Sequence, residues 1–334
     1  MLFVLVGHGS IGSKFNEELQ KRGYEPKSIV IIDKNNDLLN DLRKKGHKCF
    51  NNIEEIDKNN NIQYGIVANW GPDHINSAIK LLELGCKRLV IEKPVSDSIN
   101  SLKKFSKLVF DKSVFVTVHH HWKYLELNDS LAKIEQEYEL GKPVGFRLLG
   151  GALGLSTNGV HWFDLALDIL DSFPKSIMAD LDFDNINPRD ESLAFIGGMC
   201  SYKMHNGSFL HLSYSNKNSQ SGRAEVIYRN GIVDISIKSK EGKLKIYKRK
   251  DEDIERYFDK ITRHGICNYV EEKEFINAST VPLVINDLIN GKNPKVDLIR
   301  AENSLKMIIG AIQSSIKGNR VKWEEIIDQG IRIS

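Results

Sequence analysis

The 334-residue sequence has only four cysteines, at positions 49, 86, 200 and 267. None forms a Cys-x-x-Cys pair and no Cys/His spacing matches a zinc site, so no metal is expected. Thiols this scattered argue against a disulfide scaffold and suit a reducing cytoplasm. No run reaches the roughly 18 apolar residues that a membrane-spanning helix requires. The apolar N-terminus has no basic segment and runs directly into a glycine motif, so a signal peptide is not expected. An excess of one charge is also missing: 47 basic against 44 acidic residues leave a net charge of +3. That balance argues against nucleic-acid and anionic-membrane partners. The short run Lys248-Arg249-Lys250 is followed at once by Asp251 and Glu252 and reads as solvated surface. There is no internal repeat, and 58–62 reads as a low-complexity loop.

What remains is ordinary globular material, 41% hydrophobic and 27% charged, in a length that suggests about two domains. Continuous apolar runs at 2–6, 29–33, 64–69, 88–94 and 114–118 read as strands buried on both faces. Between them Ile11, Phe15 and Leu19 recur every four residues on one helix face, with Gly23 as the stop. Further helices are expected at 36–46, 73–85 and 98–109. This alternation predicts an α/β domain with a parallel, doubly wound sheet over 1–121. The texture then changes. A turn and strand at 141–151 and a helix at 161–173 precede a strand-rich stretch from 175 to 248, with turn signals at His205-Asn206-Gly207 and Asn230-Gly231. A largely antiparallel sheet is therefore expected in a second domain over 122–334, which closes with a helix at 300–318.

Residues 7–12 read Gly-His-Gly-Ser-Ile-Gly, between the first strand and the first helix. In a dinucleotide site Gly7 permits the tight turn, Gly9 lets the backbone approach a pyrophosphate, and Gly12 lets the helix pack close to the strand. The helix start offers free N–H groups and a partial positive charge. Asp33 ends the second strand, 21 residues after Gly12, where a carboxylate can bind the adenosine ribose hydroxyls. A tight turn with a surface acid nearby would show the same residues. A methyltransferase loop would want an acid just before Gly7, where Val6 stands. Asp33 repels a 2′-phosphate and so favours NAD; Lys34 beside it softens that repulsion and keeps NADP open.

Glu92-Lys93-Pro94 closes a later strand. Ligands in open α/β sheets sit beyond the carboxyl ends of the strands, and Pro94 keeps Lys93 out of helical angles. A lysine presented there, its pKa lowered from about 10.4 by burial and nearby cations, suits general acid/base chemistry. A surface lysine before a proline turn fits the spacing equally well. His161 and Asp164, three apart near a helix start, share a face. His161 suits relaying a proton or orienting a hydroxyl. A hydrogen-bonded structural histidine, with Asp164 as a buried acceptor fixing the loop, is the plainer alternative.

Taken together and in order, these pieces resemble the Gfo/Idh/MocA oxidoreductase family: Gly-His-Gly-Ser-Ile-Gly at 7–12, Asp33, Asp73-His74 opening a helix, Glu92-Lys93-Pro94, Gly159-x-His161-x-x-Asp164, and a closing segment at 297–323. The resemblance implies an N-terminal Rossmann domain and a C-terminal α/β domain with an open, mostly antiparallel sheet, which often mediates dimers or tetramers. It implies cofactor contacts from Gly7, Gly9, Ser10, Ile11, Gly12, Asp33 and Lys34, and from Asn69, Trp70, His74, Glu92 and Lys93. It implies a sugar, inositol or nucleotide-sugar substrate whose carbinol carbon lies between Lys93 and His161 and exchanges hydride with nicotinamide C4. The proline of the Glu-Lys-Pro motif is often cis in relatives, and that expectation is carried to Pro94.

The sequence also departs from the family pattern. Many relatives have an acid four residues before the histidine; here Thr157 stands there, able to hydrogen-bond a sugar but not to supply charge. The usual threonine-proline pair after the third strand is replaced by Asn69-Trp70-Gly71-Pro72. After the strand ending at 118 come His119, His120 and His121. Strand alternation allows only His119 and His121 to converge, and lining the active cleft is preferred over binding a metal. Substrate contacts are thus expected from Lys93, His119, His121, Thr157, His161 and Asp164, with specificity in the loops at 148–159 and 215–222. Two rivals stay open: an NAD-dependent glycosidase that oxidises its sugar transiently, and a non-catalytic sugar-binding regulator. Retention of both Lys93 and His161 argues against the regulator.

Overall fold

The apolar runs of the first 120 residues form strands with no solvent-facing side. The computed structural model describes residues 2–57, 60–184, 195–215, 217, 222–238, 240–252, 254 and 267–333. Strands β1 (Leu2–Val6), β2 (Ile29–Ile32), β3 (Lys48–Phe50), β4 (Ile62–Val67), β5 (Arg88–Ile91) and β6 (Phe115–Val118) pair in the order β3-β2-β1-β4-β5-β6. All these pairings are parallel. Helices α1 (Ser10–Lys21), α2 (Asn36–Lys44), α3 (His74–Glu83) and α4 (Ile99–Asp111) connect them. Every residue of Ile29–Ile32 is buried, as are Phe3, Val4, Leu5 and Val6. Burial on both faces is what their unbroken hydrophobicity requires.

The chain divides into two compact units, the first made of Met1–Tyr124, Ser279–Lys306 and Gly330–Ser334, the second of Leu125–Ala278 and Met307–Gln329. This partition amends the linear division into 1–121 and 122–334. The physical reason is a late apolar helix. After the short turn α5 (His121–Tyr124) the chain leaves the first unit. It returns to it with a helix at Val281–Asn290, which packs beside α1 and on β5 and β6. Arg88, the first residue of β5, holds that helix at its C-terminal end. Its Nε donates to Leu288 O at 2.5 Å, and its Nη2 donates to Gly291 O at 2.5 Å and to Asp287 O at 3.3 Å. The guanidinium also lies 4.1 Å over the Phe115 ring. A cation there satisfies carbonyls that a helix end leaves unpaired.

The second unit begins with α6 (Leu127–Glu137) and β7 (Pro143–Leu149), then α7 (Val160–Leu170), β8 (Pro174–Asp182), β9 (Gly197–Met204), β10 (Phe209–Tyr214), β11 (Arg223–Tyr228), β12 (Gly231–Lys238), β13 (Glu241–Arg249) and β14 (Cys267–Ile276). In chain order the Val281–Asn290 helix is α8. It is followed by α9 (Leu298–Lys317) and the short β15 (Val321–Lys322). The nine strands of this unit run β14-β13-β12-β11-β7-β10-β9-β8-β15. Among the described residues of this sheet, only the β7–β10 pair is parallel. Burial alternates along several of these strands, as expected where one face is covered. Phe146, Leu148, Leu210, Leu212, Val226 and Ile246 are buried, while Arg147, Leu149, Met199 and His211 between such positions are exposed.

The expected strand-helix alternation and the antiparallel stretch are both present. The short strand β3, helix α6 and strand β14 were not read from the sequence. Lys58 and Asn59 of the expected loop at 58–62, and 185–194, 216, 218–221 and 239 of the strand-rich stretch expected at 175–248, lie outside the described residues. Ile62 opens β4 instead of closing a loop. Among the described residues no helix is long and apolar enough to cross a membrane. Arg88→Ala should lower unfolding free energy by about 1.5–3 kcal/mol, the range for charge-assisted hydrogen bonds. Urea unfolding followed by circular dichroism measures it.

Candidate functional site

The parallel register sets the site. Val6 pairs with Ile32 and Val67, Val67 with Ile91, and Ile91 with Val118, so five strands end in one row. The ladder then continues by one bond past several ends. Gly7 N–H donates to Ile32 O (2.7 Å), Ala68 N–H to Val6 O (2.8 Å), Glu92 N–H to Val67 O (2.9 Å) and His119 N–H to Ile91 O (3.0 Å). Gly7, Asp33, Asn69, Glu92-Lys93 and His119 therefore emerge from one edge of one sheet. The strand order reverses between β1 and β4, the usual ligand crevice of such sheets.

The glycine loop leaves no room for side chains where it folds on itself. Gly7 has φ +87°, and a Cβ there would lie 2.6 Å from the Asn69 backbone. A Cβ on Gly12 would lie 2.0 Å from Gly7 O. A Cβ on Gly9, by contrast, would meet nothing within 4 Å. The loop thus has an open side at the position where a pyrophosphate would approach. No side chain caps the start of α1, and its first turn has no acidic residue, so a bound anion meets no competing acceptor there. Ser10 is exposed and Ile11 half-buried in that first turn. Asp33 is half-buried. Its Oδ2 accepts from His8 N–H at 2.8 Å and its Oδ1 from Asn35 N–H at 2.9 Å, while Lys34 is exposed. Two backbone donors aim the carboxylate and leave lone pairs for ribose hydroxyls. These features fit a dinucleotide.

Beyond β4, Asn69 Nδ2 donates to Ser77 Oγ (3.0 Å), while its Oδ1 is buried without a partner. Trp70 is exposed. His74 joins two loops: its Nδ1 lies 2.8 Å from Pro94 O and its Nε2 3.0 Å from Asn69 O. Burial, the largest influence, holds the His74 ring below the ordinary histidine value despite those two carbonyls and the charge of Glu92. The Lys93–Pro94 bond is cis, as the resemblance implied. Lys93 is half-buried.

Glu92 is almost fully buried, at 6% exposure. Its Oε1 lies 2.5 Å from His119 Nδ1. Burial pushes the carboxyl up, but the charge and hydrogen bond of His119, with Lys93 and His74 nearby, outweigh it and hold Glu92 below its ordinary value. His119 Nε2 in turn lies 2.7 Å from Thr280 Oγ1, and His121 Nδ1 lies 3.3 Å from the same oxygen. His119 and His121 do converge. The reason differs from strand alternation, because β6 ends at Val118 and His121 opens α5. Thr280 was not among the residues read from the sequence. Thr280-Val281-Pro282 signals a helix start, but nothing local points 161 residues back to His119.

In the second unit a π turn at Leu155–Gly159 runs into α7. Thr157 Oγ1 donates to Leu153 O and lies 3.4 Å from Gly154 O, so its hydroxyl bonds its own turn. Asn158 Oδ1 accepts from Trp162 Nε1 (3.0 Å) and Tyr214 OH (3.1 Å), a contact the sequence did not disclose. His161 is half-buried and Asp164 fully buried, one turn apart on α7. Lys93 lies in the first unit and His161 in the second. Of the specificity loops expected, 148–159 is described here, whereas 216 and 218–221 of the other lie outside the described residues.

Residues 1–120 match the model of a family described as an oxidoreductase family with an NAD-binding Rossmann fold. Among curated proteins none matches the sequence. Solved structures do. An NAD-binding protein from Listeria innocua is 17% identical, with a TM-score of 0.71 over 96% of this chain and 99% of that one. An oxidoreductase from Agrobacterium radiobacter, solved with NAD+, L-tartaric acid and magnesium, is 11% identical, with a TM-score of 0.73 over 97% and 98%. A UDP-N-acetylglucosamine 3-dehydrogenase from Acidithiobacillus ferrooxidans is 13% identical, with a TM-score of 0.70 over 95% and 97%. At these identities the likeness is one of fold.

Gly12→Ala should abolish NAD binding, because its methyl group would displace the Gly7 carbonyl; calorimetry with NAD, beside a melting curve, checks this. Glu92 supplies stability that is fully present above the unfolded carboxyl pKa of about 4.3 and is lost as the pH falls through its lower folded value. Thermal melts of Glu92→Gln should therefore be flatter than wild type in that acidic range.

Proposed function

Because residues 1–120 place this chain in the Gfo/Idh/MocA family of NAD-binding oxidoreductases, we propose that it transfers hydride between nicotinamide and a secondary alcohol or ketone of a sugar, inositol or nucleotide sugar. The observation that carries this is the shared sheet edge. The glycine loop, Asp33 and Glu92-Lys93-Pro94 leave one row of strand ends, so a dinucleotide cradled by the loop runs toward Lys93. The fold shared with a UDP-N-acetylglucosamine 3-dehydrogenase supports the sugar-nucleotide class. Asp33 supports NAD as the preferred cofactor.

NAD, when bound, supplies the hydride acceptor. The residues do the rest. Lys93 takes the hydroxyl proton during oxidation and returns it during reduction. His161 orients the same oxygen, with Thr157 and Asp164 shaping the turn and helix that present it. His119 and His121 border the substrate side of the Lys93 strand end, and Glu92 fixes that strand end. A neutral amine is the competent base in the oxidation direction. The second unit's open sheet face exposes Met178, Met199 and Leu149 and is the surface through which copies would associate as dimers or tetramers. A cytoplasmic location fits the four free thiols.

NADH appearance with a panel of sugars, inositols and nucleotide sugars tests the reading. Sugar release without net NADH would favour the glycosidase, and NAD binding with neither product would favour a sensor. Lys93→Ala should slow turnover by about 10²–10⁴-fold, the usual worth of general acid/base assistance, while NAD still binds. Stopped-flow kinetics with the substrate found in the panel measures it, and undiminished turnover would reject the assignment.

A further inference from the structure

The glycine loop contains a side chain that hydride transfer does not use. His8 stands between Gly7 and Gly9, and its backbone N–H is the donor to Asp33 Oδ2. Its ring meets α1, where Nε2 lies 3.1 Å from Asn16 Nδ2. That same amide nitrogen lies 3.3 Å from His47 Nε2. Gln20 Nε2 donates to Asn16 Oδ1 at 3.1 Å and lies 3.0 Å from His47 Nε2. His47 Nδ1 lies 3.3 Å from Ile29 O.

Counting donors fixes the protons. His47 gives its Nδ1–H to the Ile29 carbonyl, so its Nε2 is an acceptor. Asn16 Oδ1 is taken by Gln20, so Asn16 Nδ2 is the donor toward both imidazoles. His8 Nε2 therefore accepts, and the neutral ring carries its hydrogen on Nδ1. That Nδ1 is buried and has no partner beyond the backbone of His8 itself, which favours a proton on the ring. Buried unpaired donors are uncommon and costly, and the neutral and protonated rings carry that cost alike, since both have a hydrogen on Nδ1. Adding a proton at Nε2 requires that the Asn16 amide turn over to present its oxygen, which gives up its donation to His47 Nε2 and its bond from Gln20 and leaves Gln20 Nε2 as the donor to His47.

The charges around His8 come from every side of the loop. Asp33, beyond β2, favours a proton on the ring. His47, before β3, and Lys45, after α2, oppose it, and α1 contributes only the neutral Asn16 and Gln20. Burial is the largest influence and holds the ring below the ordinary histidine value, so His8 is neutral at neutral pH.

We propose that His8 is a specificity-determining residue for the dinucleotide: neutral, it leaves the Asp33 carboxylate uncompensated and the loop selective for NAD; protonated, it offsets that carboxylate and admits the 2′-phosphate of NADP. The proposal rests on the dinucleotide reading above. It assigns the discrimination to a pair, the acid after β2 and the imidazole in the loop, instead of to Asp33 alone.

Calorimetric titration of the full chain with NAD and with NADP, from about pH 8.5 down to the lowest pH at which the fold persists, tests it. The ratio of NADP to NAD affinity should rise on acidification by on the order of tenfold, as a unit charge placed beside the acid requires. His8→Gln keeps an acceptor for Asn16 but cannot charge. It should show only the smaller rise that protonation of the 2′-phosphate itself produces. The His8 ring titration, followed by NMR in the wild type, should share its midpoint with the change in preference, which holds the test open if His8→Gln fails to fold. Equal pH dependence in wild type and His8→Gln, or a preference that ignores the His8 midpoint, overturns the role of His8 and leaves the NAD site standing. Failure of the wild type to bind either dinucleotide overturns the dinucleotide reading and this inference with it.

Discussion

The constraint on which the candidate site depends is the register of the parallel sheet. Val6, Ile32, Val67, Ile91 and Val118 share one hydrogen-bonded row, and adjacent strands in such a row lie about 4.8 Å apart. The first residue beyond several of these strands adds one more ladder bond. Glu92 and His119 therefore cannot drift relative to the glycine loop without breaking backbone pairing. A one-residue slip of β5 would exchange Glu92 for Lys93 and turn every side chain to the opposite face. The continuous burial of these strands forbids that slip less strongly than alternation would, since both faces are apolar. The turns must then hold the register, and the cramped Gly7–Gly12 contact is the tightest of them.

Given that frame, the buried polar groups sort by what they are bonded to. Glu92 would be expensive to bury as an isolated carboxylate. The His119 ring gives it a partner at 2.5 Å, and the Thr280 hydroxyl completes the imidazole from the other side. Thr280 stands where a helix is normally capped, yet its hydroxyl does not cap α8. Pro282, at the second helical position, has no N–H to be capped. The loss to the helix is correspondingly small, and the hydroxyl is released to bond the histidine. A residue late in the chain thereby joins the end of β6. The return of Ser279–Lys306 to the first unit is what makes this contact available.

Much of this was legible in the sequence, and the limits have a common cause. Continuous apolar runs gave β1, β2, β4, β5 and β6, because burial on both faces leaves a local signature. The Gly7, Gly9, Gly12 and Asp33 spacing and the Glu92-Lys93-Pro94 strand end are likewise local patterns. Strand β3, Lys48–Phe50, is only three residues long and has an exposed lysine, too little to register as periodicity. Strand β14 alternates poorly because most of its residues are exposed, so its pattern resembles a charged loop. Thr280 and the packing of α8 depend on contacts with residues far away in the sequence. The convergence of His119 and His121 was expected from strand alternation, yet it arises from a helical turn and a hydroxyl contributed by a third segment. The linear two-domain division does not include the return of Ser279–Lys306 for the same reason: periodicity can identify α8 as a helix, but it does not say which sheet the helix covers.

The two acids of the first unit show how one sheet edge gives similar carboxylates different tasks. Asp33 is half-buried and held by two backbone N–H groups. Backbone donors fix its direction without neutralising its charge, so it keeps both the lone pairs a ribose needs and the charge that repels a phosphate. Glu92 is buried, and one of its oxygens is committed to an imidazole. That bond anchors the end of β5 to the end of β6, directly beside the residue proposed as the base. Exchanging the two environments would leave the adenosine end without discrimination and the lysine end with a free, competing charge. The difference between backbone and side-chain partners, set by how deeply each strand end is covered, therefore separates recognition from support along the edge.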